Sequence, residues 1–441
     1  MPMLKEGQRL VSSDGQPIDV LSLIASGGQG EVYRVRMNGQ NYALKWYHHP
    51  STAAQKARAR EQFHALEQYL LLNAPPDHRF LWPMTLVKDP ARKTFGYIMP
   101  LLDPRFQGLE YLVLGRMRPA PSFRILCQAA IGLAECFRKL HNMGACYKDI
   151  NLGGPFLDPQ TGEVRICDTD NVRVNKTPGN IIFVYFAAPE LILNEGSCQT
   201  NTDIHSLAVL LVYMFIRHHP LEGARELKIN VFNEVAQRKF YGSDPLFIFH
   251  PTNTDNRPVP GFHDTAIRNW DVYPSFLQRM FTRAFTDGLT TPTQRVREGE
   301  WMEAFSRLRD SLYYCRSCGV EAFYDFERAA LGHQQSCWKC GTFPQLPFRI
   351  DIGHRQIFLN HDSVLYPHHL GHRLDFSKPL ATVSQHPKDP RRWGLKNNSS
   401  SNWQYTAKDG QSRQAAPGQS IPLKHGLSIQ FDSCEGLILS R

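Results

Sequence analysis

The chain has 441 residues, 42% of them hydrophobic and 21% charged, with a formal charge of +9. That length carries two or three domains, each with its own core, and the composition excludes a disordered or fibrous chain. No run reaches the roughly eighteen apolar residues of a membrane helix; the best, 207–216, ends in Arg217-His218-His219. The start, MPMLKEGQRL, lacks an apolar signal region, so the expected compartment is the cytoplasm and no membrane partner is expected. The positive charge suits an anionic partner, but the basic residues are scattered, which disfavours nucleic acid.

In chain order, 18–26, 30–37 and 40–47 read as strands divided by SGGQ and NGQ turns, the second a hairpin signal. Residues 53–72 read as a helix with Phe63, Leu66, Leu70 and Leu71 on one face, and 95–102 as a further strand. Helical patterns then cover 123–144, 202–219, 276–285 and 300–312, with a β-rich stretch at 156–170. A small strand-rich lobe thus precedes a larger helical one. From Cys315 the helices stop, and after about 348 short strands with Pro, Asn, Ser and Gly turns predict a β-sandwich or barrel.

The turn IASGGQGEVY sits between two strands and precedes Tyr42-Ala43-Leu44-Lys45. Glycines let backbone amides approach phosphate oxygens, and a lysine adds charge to the same anion. Here the chain resembles the protein kinase superfamily. Gly27 and Gly30 match two glycines of the phosphate loop, while Ala25 replaces the first. The resemblance implies ATP as cofactor, with Val32, Ala43, Met99 and Leu101 around the adenine and Lys45 on the phosphates. Lys45 needs a carboxylate partner; Glu67 is chosen over Glu61 because Leu70 and Leu71 follow it on the apolar face.

LHNMGACYKDINLGGPFLD resembles the kinase catalytic loop, with Tyr147-Lys148-Asp149 in place of His-Arg-Asp. The resemblance makes Asp149 the group that accepts the acceptor hydroxyl's proton, so Asp149, Lys45 and Asp168 form the expected catalytic set. Gly154 stands where the family has a metal-binding asparagine, and Asn151 is the nearest amide. In VRICDTDNV, Asp168 takes the metal-chelating position, and Asp170 offers a second carboxylate for Mg2+ or Mn2+. Ala188-Pro189-Glu190, Asp203 and Arg295 match further family positions, and Thr177 is the most exposed-looking hydroxyl of the intervening segment.

Cys315-Arg-Ser-Cys318-Gly and Cys337-Trp-Lys-Cys340-Gly are two knuckles whose spacing fits structural Zn2+ bound by four thiolates. The other six cysteines stand singly and read as small buried hydrophobes. The last segment weakly resembles a forkhead-associated domain, with Ser400-Ser401-Asn402 and PLKHGLSIQF as the matching parts, Gly371-His372-Arg373 only loosely so, and Trp403 replacing a glycine.

The expected fold class is α+β: a bilobal protein-kinase-like domain (1–312, lobes meeting near 102), a zinc ribbon (313–347) and a small all-β sandwich (348–441). This order resembles bacterial kinases of tellurium-resistance and stress operons. That resemblance implies a serine/threonine protein kinase acting on a partner protein, with a von Willebrand A-domain protein and a cognate phosphatase as companions. Two alternatives stay open: a pseudokinase scaffold that binds nucleotide weakly, and a small-molecule kinase of aminoglycoside type, which shares the lobes but usually lacks the counterparts of Glu190 and Arg295.

Overall fold

Six strands open the chain, the third alternating between buried and exposed side chains and the fourth to sixth mostly buried on both faces. They form β1 (Arg9–Val11), β2 (Pro17–Ser26), β3 (Gly30–Met37), β4 (Gln40–Tyr47), β5 (Thr85–Asp89) and β6 (Thr94–Pro100). The computed structural model describes residues 2–89, 94–176, 184–372, 374–407, 410–432 and 434–440. Thr177 and Arg373, singled out above, lie outside them. The six strands pair antiparallel in the order β1-β2-β3-β4-β6-β5. One face packs Ile18, Val20, Tyr33, Val35, Leu44, Trp46, Val87 and Ile98 into a core.

Helix α1 (Ala53–Ala65) is started by Thr52, which accepts from the Gln55 amide in a capping box. Its winding then widens into a π segment, Leu66–Leu70, closed by the i→i+5 bond from the Leu71 amide to the Leu66 carbonyl (3.0 Å). The long helices that follow are α2 (Phe123–Asn142) and α3 (Thr200–Ile216). Almost every α3 side chain is buried, which places that helix at the centre of its packing layer. No helix among the described residues is long and apolar enough to cross a membrane.

Leu312–Tyr314 and Glu321–Phe323 form a two-stranded hairpin that carries the first cysteine pair at its turn. Beyond it, two antiparallel sheets make a sandwich. One runs Arg355–Phe358, Arg349–Ile352, Glu435–Leu439, Leu427–Gln430, Trp403–Thr406, Ser412–Ala415; the other runs Val364–Leu365, Ala381–His386, Asp389–Asn397, Ser420–Pro422. Both sheets feed one core that includes Ile350, Leu395, Trp403, Ile421, Phe431 and Ile438. The fold is therefore α+β.

The chain forms two compact units. One comprises Met1–Pro121, Gly132–Val259 and Arg283–Glu298; the other comprises Ser122–Ile131, Pro260–Thr282 and Gly299–Arg441.

Candidate active site

Lys45 lies on β4 with its side chain buried, opposite Val32 of β3 and Tyr97 of β6. Two residues earlier on the same face, Ala43 faces Met99 across the β4–β6 pair. Ala43 and Met99 are buried and Val32 and Leu101 half-buried, and Val32, Ala43 and Met99, expected around an adenine, share the Lys45 face of the sheet. The two glycines differ. A Cβ at Gly30 would lie 2.2 Å from the Trp46 carbonyl, so strand packing alone demands glycine there. Gly27 is exposed with room for a side chain, and its amide donates to the Gly30 carbonyl (2.9 Å).

Asp168 follows the strand Val164–Ile166 and holds a left-handed backbone (φ 49°), a strained conformation for an aspartate. The turn after it is pinned by the Thr169 hydroxyl donating to the Leu81 carbonyl (2.9 Å) and by Arg173 donating to the Asp170 carbonyl (2.6 Å). Lys45 Nζ donates to Asp168 Oδ1 at 2.9 Å and to Asp170 Oδ1 and Oδ2 at 2.9 and 3.1 Å. Burial alone would push the Lys45 ammonium down, but Asp170 and Asp168 outweigh it and hold it above its ordinary value.

Two expectations need correction here. Glu67 is not brought to Lys45: it is half-exposed and accepts from Lys88 Nζ (2.9 Å). The π segment begins at Leu66, so the three-and-four count used to place Glu67 runs through a turn of different pitch. The rejected Glu61 does not reach Lys45 either; it accepts from Lys148 (2.8 Å) and pairs with Arg173 (3.4 Å). Asp170 is not placed as a metal ligand. It is fully buried, and beside Lys45 its oxygens accept from the hydroxyls of Tyr97 (3.0 Å) and Tyr47. Burial would raise its carboxyl, but Lys45 and the tyrosine hydroxyls hold it below the usual carboxylate range. Tyr47 and Tyr97 escaped the sequence reading, although Tyr47 sits two places from Lys45 and hence on its face.

Asp149, buried to 7% exposure, follows Lys148, whose φ of 73° is again left-handed. The loop is held by Asp203 of α3, which accepts from the Tyr147 amide and from the Lys148 amide (3.1 Å). Asp203 also meets His141 Nε2 at 3.1 Å, and the other ring nitrogen of His141 meets Glu298. Asn151 spends its amide locally, donating to the Asp149 carbonyl (2.9 Å) and accepting from the Gly153 amide (2.7 Å). Gly154 has a steric cause. A Cβ there would lie 2.9 Å from the hydroxyl of Tyr147, which is buried and donates to the Cys167 carbonyl. The bulky Tyr147 and the missing side chain at 154 are two halves of one packing solution. Farther off, Arg295 grips Glu190 with two bonds (2.8 and 2.7 Å) and donates to the Gly288 and Asn201 carbonyls.

The four knuckle cysteines converge. Cys315 and Cys340 Sγ are 3.6 Å apart, Cys318 and Cys337 3.7 Å, and all four lie within 4.8 Å of one another. Zn–S bonds of about 2.3 Å in a tetrahedron put sulfurs about 3.8 Å apart, so the set fits Zn2+; a disulfide is far shorter. Each knuckle closes alike: Gly319 and Gly341, with φ of 74° and 71°, donate to the carbonyls of Cys315 and Cys337 at 2.8 Å. A second buried cluster, Asp310, His368 and His369, reads as structural. His369 accepts from the Tyr366 amide on Nδ1 (2.8 Å) and meets Asp310 through Nε2 (3.1 Å), so both ring nitrogens are used.

No model of a known protein family matches the chain. Individual proteins do. The chain is similar to protein kinase MCK1 of Saccharomyces cerevisiae, 29% identical over 142 residues, 30% of this chain and 37% of that protein. It is similar to protein kinase gsk31 of Schizosaccharomyces pombe, 29% identical over 91 residues, 20% of this chain and 24% of that one. It is also similar to protein kinase gsk3 of the same yeast, 23% identical over 191 residues, 39% of this chain and 45% of the relative. The chain spans less than half the length of the curated relatives it matches. The similarity to these protein kinases is weak and partial.

Proposed function

We propose that this chain is an ATP-dependent serine/threonine protein kinase of bilobal fold (1–312) with a zinc ribbon (313–347) and a forkhead-associated-like sandwich (348–441). The observation that carries the reading is the meeting of Lys45 and Asp168, 123 residues apart in sequence and 2.9 Å apart in space. In support, the Asp149 loop is anchored on α3 by Asp203. In this reading Val32, Ala43, Met99 and Leu101 hold the adenine, Gly27 approaches the phosphates, and Lys45 neutralises them. Asp149 orients a serine or threonine hydroxyl of the substrate protein and takes its proton onto a carboxylate oxygen. Asp168, whose side chain is 46% exposed, fits a hard cation and is the residue to hold Mg2+, which when bound offsets charge on the transferred phosphoryl group. Cys315, Cys318, Cys337 and Cys340 hold Zn2+ with no open position, so that metal is structural. The substrate class proposed is a partner protein, the von Willebrand A-domain companion being the first to try.

The test is intact-mass measurement of the chain and the added partner after incubation with Mg·ATP. Phosphate should appear, and Asp149→Ala should slow its transfer by roughly a hundredfold or more, the usual contribution of a positioned base. Lys45→Met should abolish thermal stabilisation by ATP. A pseudokinase scaffold is the second reading, favoured by the closed space at Gly154 and the local bonds of Asn151. Equal absence of phosphate in wild type and Asp149→Ala, with ATP still stabilising the wild type, selects it.

A further inference from the structure

A lysine that grips phosphate swings on a flexible four-carbon stem and needs a fixed carboxylate to aim it. The carboxylates of α1 and of the π segment after it are engaged elsewhere, Glu61 with Lys148 and Arg173, Glu67 with Lys88. Gln62, the buried polar residue of α1 beside Glu61, is also committed, donating to Gln29 (3.2 Å). We infer that Asp170, from the Asp168-Thr169-Asp170 turn, is the positioning residue that aims Lys45 at nucleotide phosphate. This inference rests on the kinase reading.

Four observations carry it. Asp170 is fully buried and both its oxygens face Lys45. Each oxygen takes one further hydroxyl, Tyr97 on Oδ1 and Tyr47 on Oδ2, which fixes the carboxylate plane. Those tyrosines come from the lysine's own strand and the one beside it: Tyr47 is two places along β4, and Tyr97 is the partner of Lys45 on β6. The Asp170 backbone is locked in turn by Arg173, itself buried. Asp168 and Asp170 therefore divide the work. Asp168 touches Lys45 through one oxygen and keeps an exposed flank for metal, whereas the fully buried Asp170 engages the lysine with both oxygens. The lysine is held by the same turn that carries the metal-site carboxylate, and no carboxylate of α1 takes part.

The experiment measures ATP affinity, by calorimetry with Mg2+ present, for the full chain and for Lys45→Met, Asp170→Asn, their double variant and Glu67→Gln. Hydrogen bonds to charged groups of this kind correspond to about tenfold or more in affinity. Each single variant at Lys45 or Asp170 should lose about that much, and the double no more than the worse single, since Asp170 acts through Lys45. Glu67→Gln should stay within about twofold of wild type, as expected for an exposed surface pair. If Asp170→Asn does not fold, judged by circular dichroism, Tyr97→Phe takes its place in the cycle, because it removes only one hydroxyl from Asp170. Unchanged affinity in Asp170→Asn or Tyr97→Phe, losses that multiply in the double variant, or a large loss in Glu67→Gln each overturns the inference while the kinase reading stands. A wild-type chain that binds no ATP overturns both.

Discussion

His141 has both ring nitrogens on carboxylates, Asp203 on one side and Glu298 on the other, with a side chain 5% exposed. Burial alone would push the imidazole down, but the bonds to Asp203 and Glu298 carry it up to about 9. The ordinary value is 6.5, so the folded chain holds the proton where the unfolded chain releases it. The resulting stability is fully present below pH 6.5 and is lost as pH rises through about 9. The difference is on the order of 3 kcal/mol at most. Urea unfolding from pH 6 to 10 should show wild-type stability falling across that window, and His141→Gln should flatten the fall. A parallel fall in both proteins would show that other groups cause it. The strand that carries Lys45 and the turn that carries Asp168 were legible from the apolar runs before them, and the structure brings the two side chains within 2.9 Å. Tyr47, Tyr97 and the true engagement of Glu61 were not legible, since they depend on which strands and loops meet across 73 to 123 residues.

At the scale of elements, the strands at 18–26, 30–37 and 40–47 and the helices at 123–144 and 202–219 were readable within a residue or three, because each carries a clean period bounded by turns. The helix at 53–72 was readable in kind but not in winding. Nothing in AREQFHALEQYLLL signals that backbone bonding changes from four residues to five at Leu66. That local change misplaced Glu67. The cysteine knuckles were readable because thiolate spacing and glycine turn chemistry are both local. Elemental analysis should give about one zinc per chain, and Cys318→Ser should lose it. The same variant should unfold at lower temperature, since metal affinity at such sites is coupled to local folding. A zinc-free wild type with the same unfolding midpoint would contradict the assignment.

For the molecule as a whole, the interleaving of the two compact units matters most. The unit that holds the cysteine hairpin and the sandwich also contains 122–131 and 260–282. Phe123, at the start of α2, packs its ring against Phe323 and Trp338 at 4.9 and 6.0 Å, and Tyr273 packs against Phe323 at 5.5 Å. Arg124 pairs with Asp362 at 2.6 Å, and Asp325 accepts from the Ser275 amide at 2.7 Å. A chain ending at residue 312 keeps Phe123, Arg124 and Tyr273 but deletes what covers them. Losing large aromatic packing costs about 3–5 kcal/mol per site, so the 1–312 fragment should melt well below the full chain or elute as aggregate in gel filtration. A fragment as stable as the full chain would show that these contacts carry little energy. The consequence reaches into genetics. A strain carrying the chain without its last 129 residues would lose the chain's function through misfolding of what remains, whatever the sandwich itself does. Point changes on the sandwich surface, rather than deletions, are the alleles that can assign it a role.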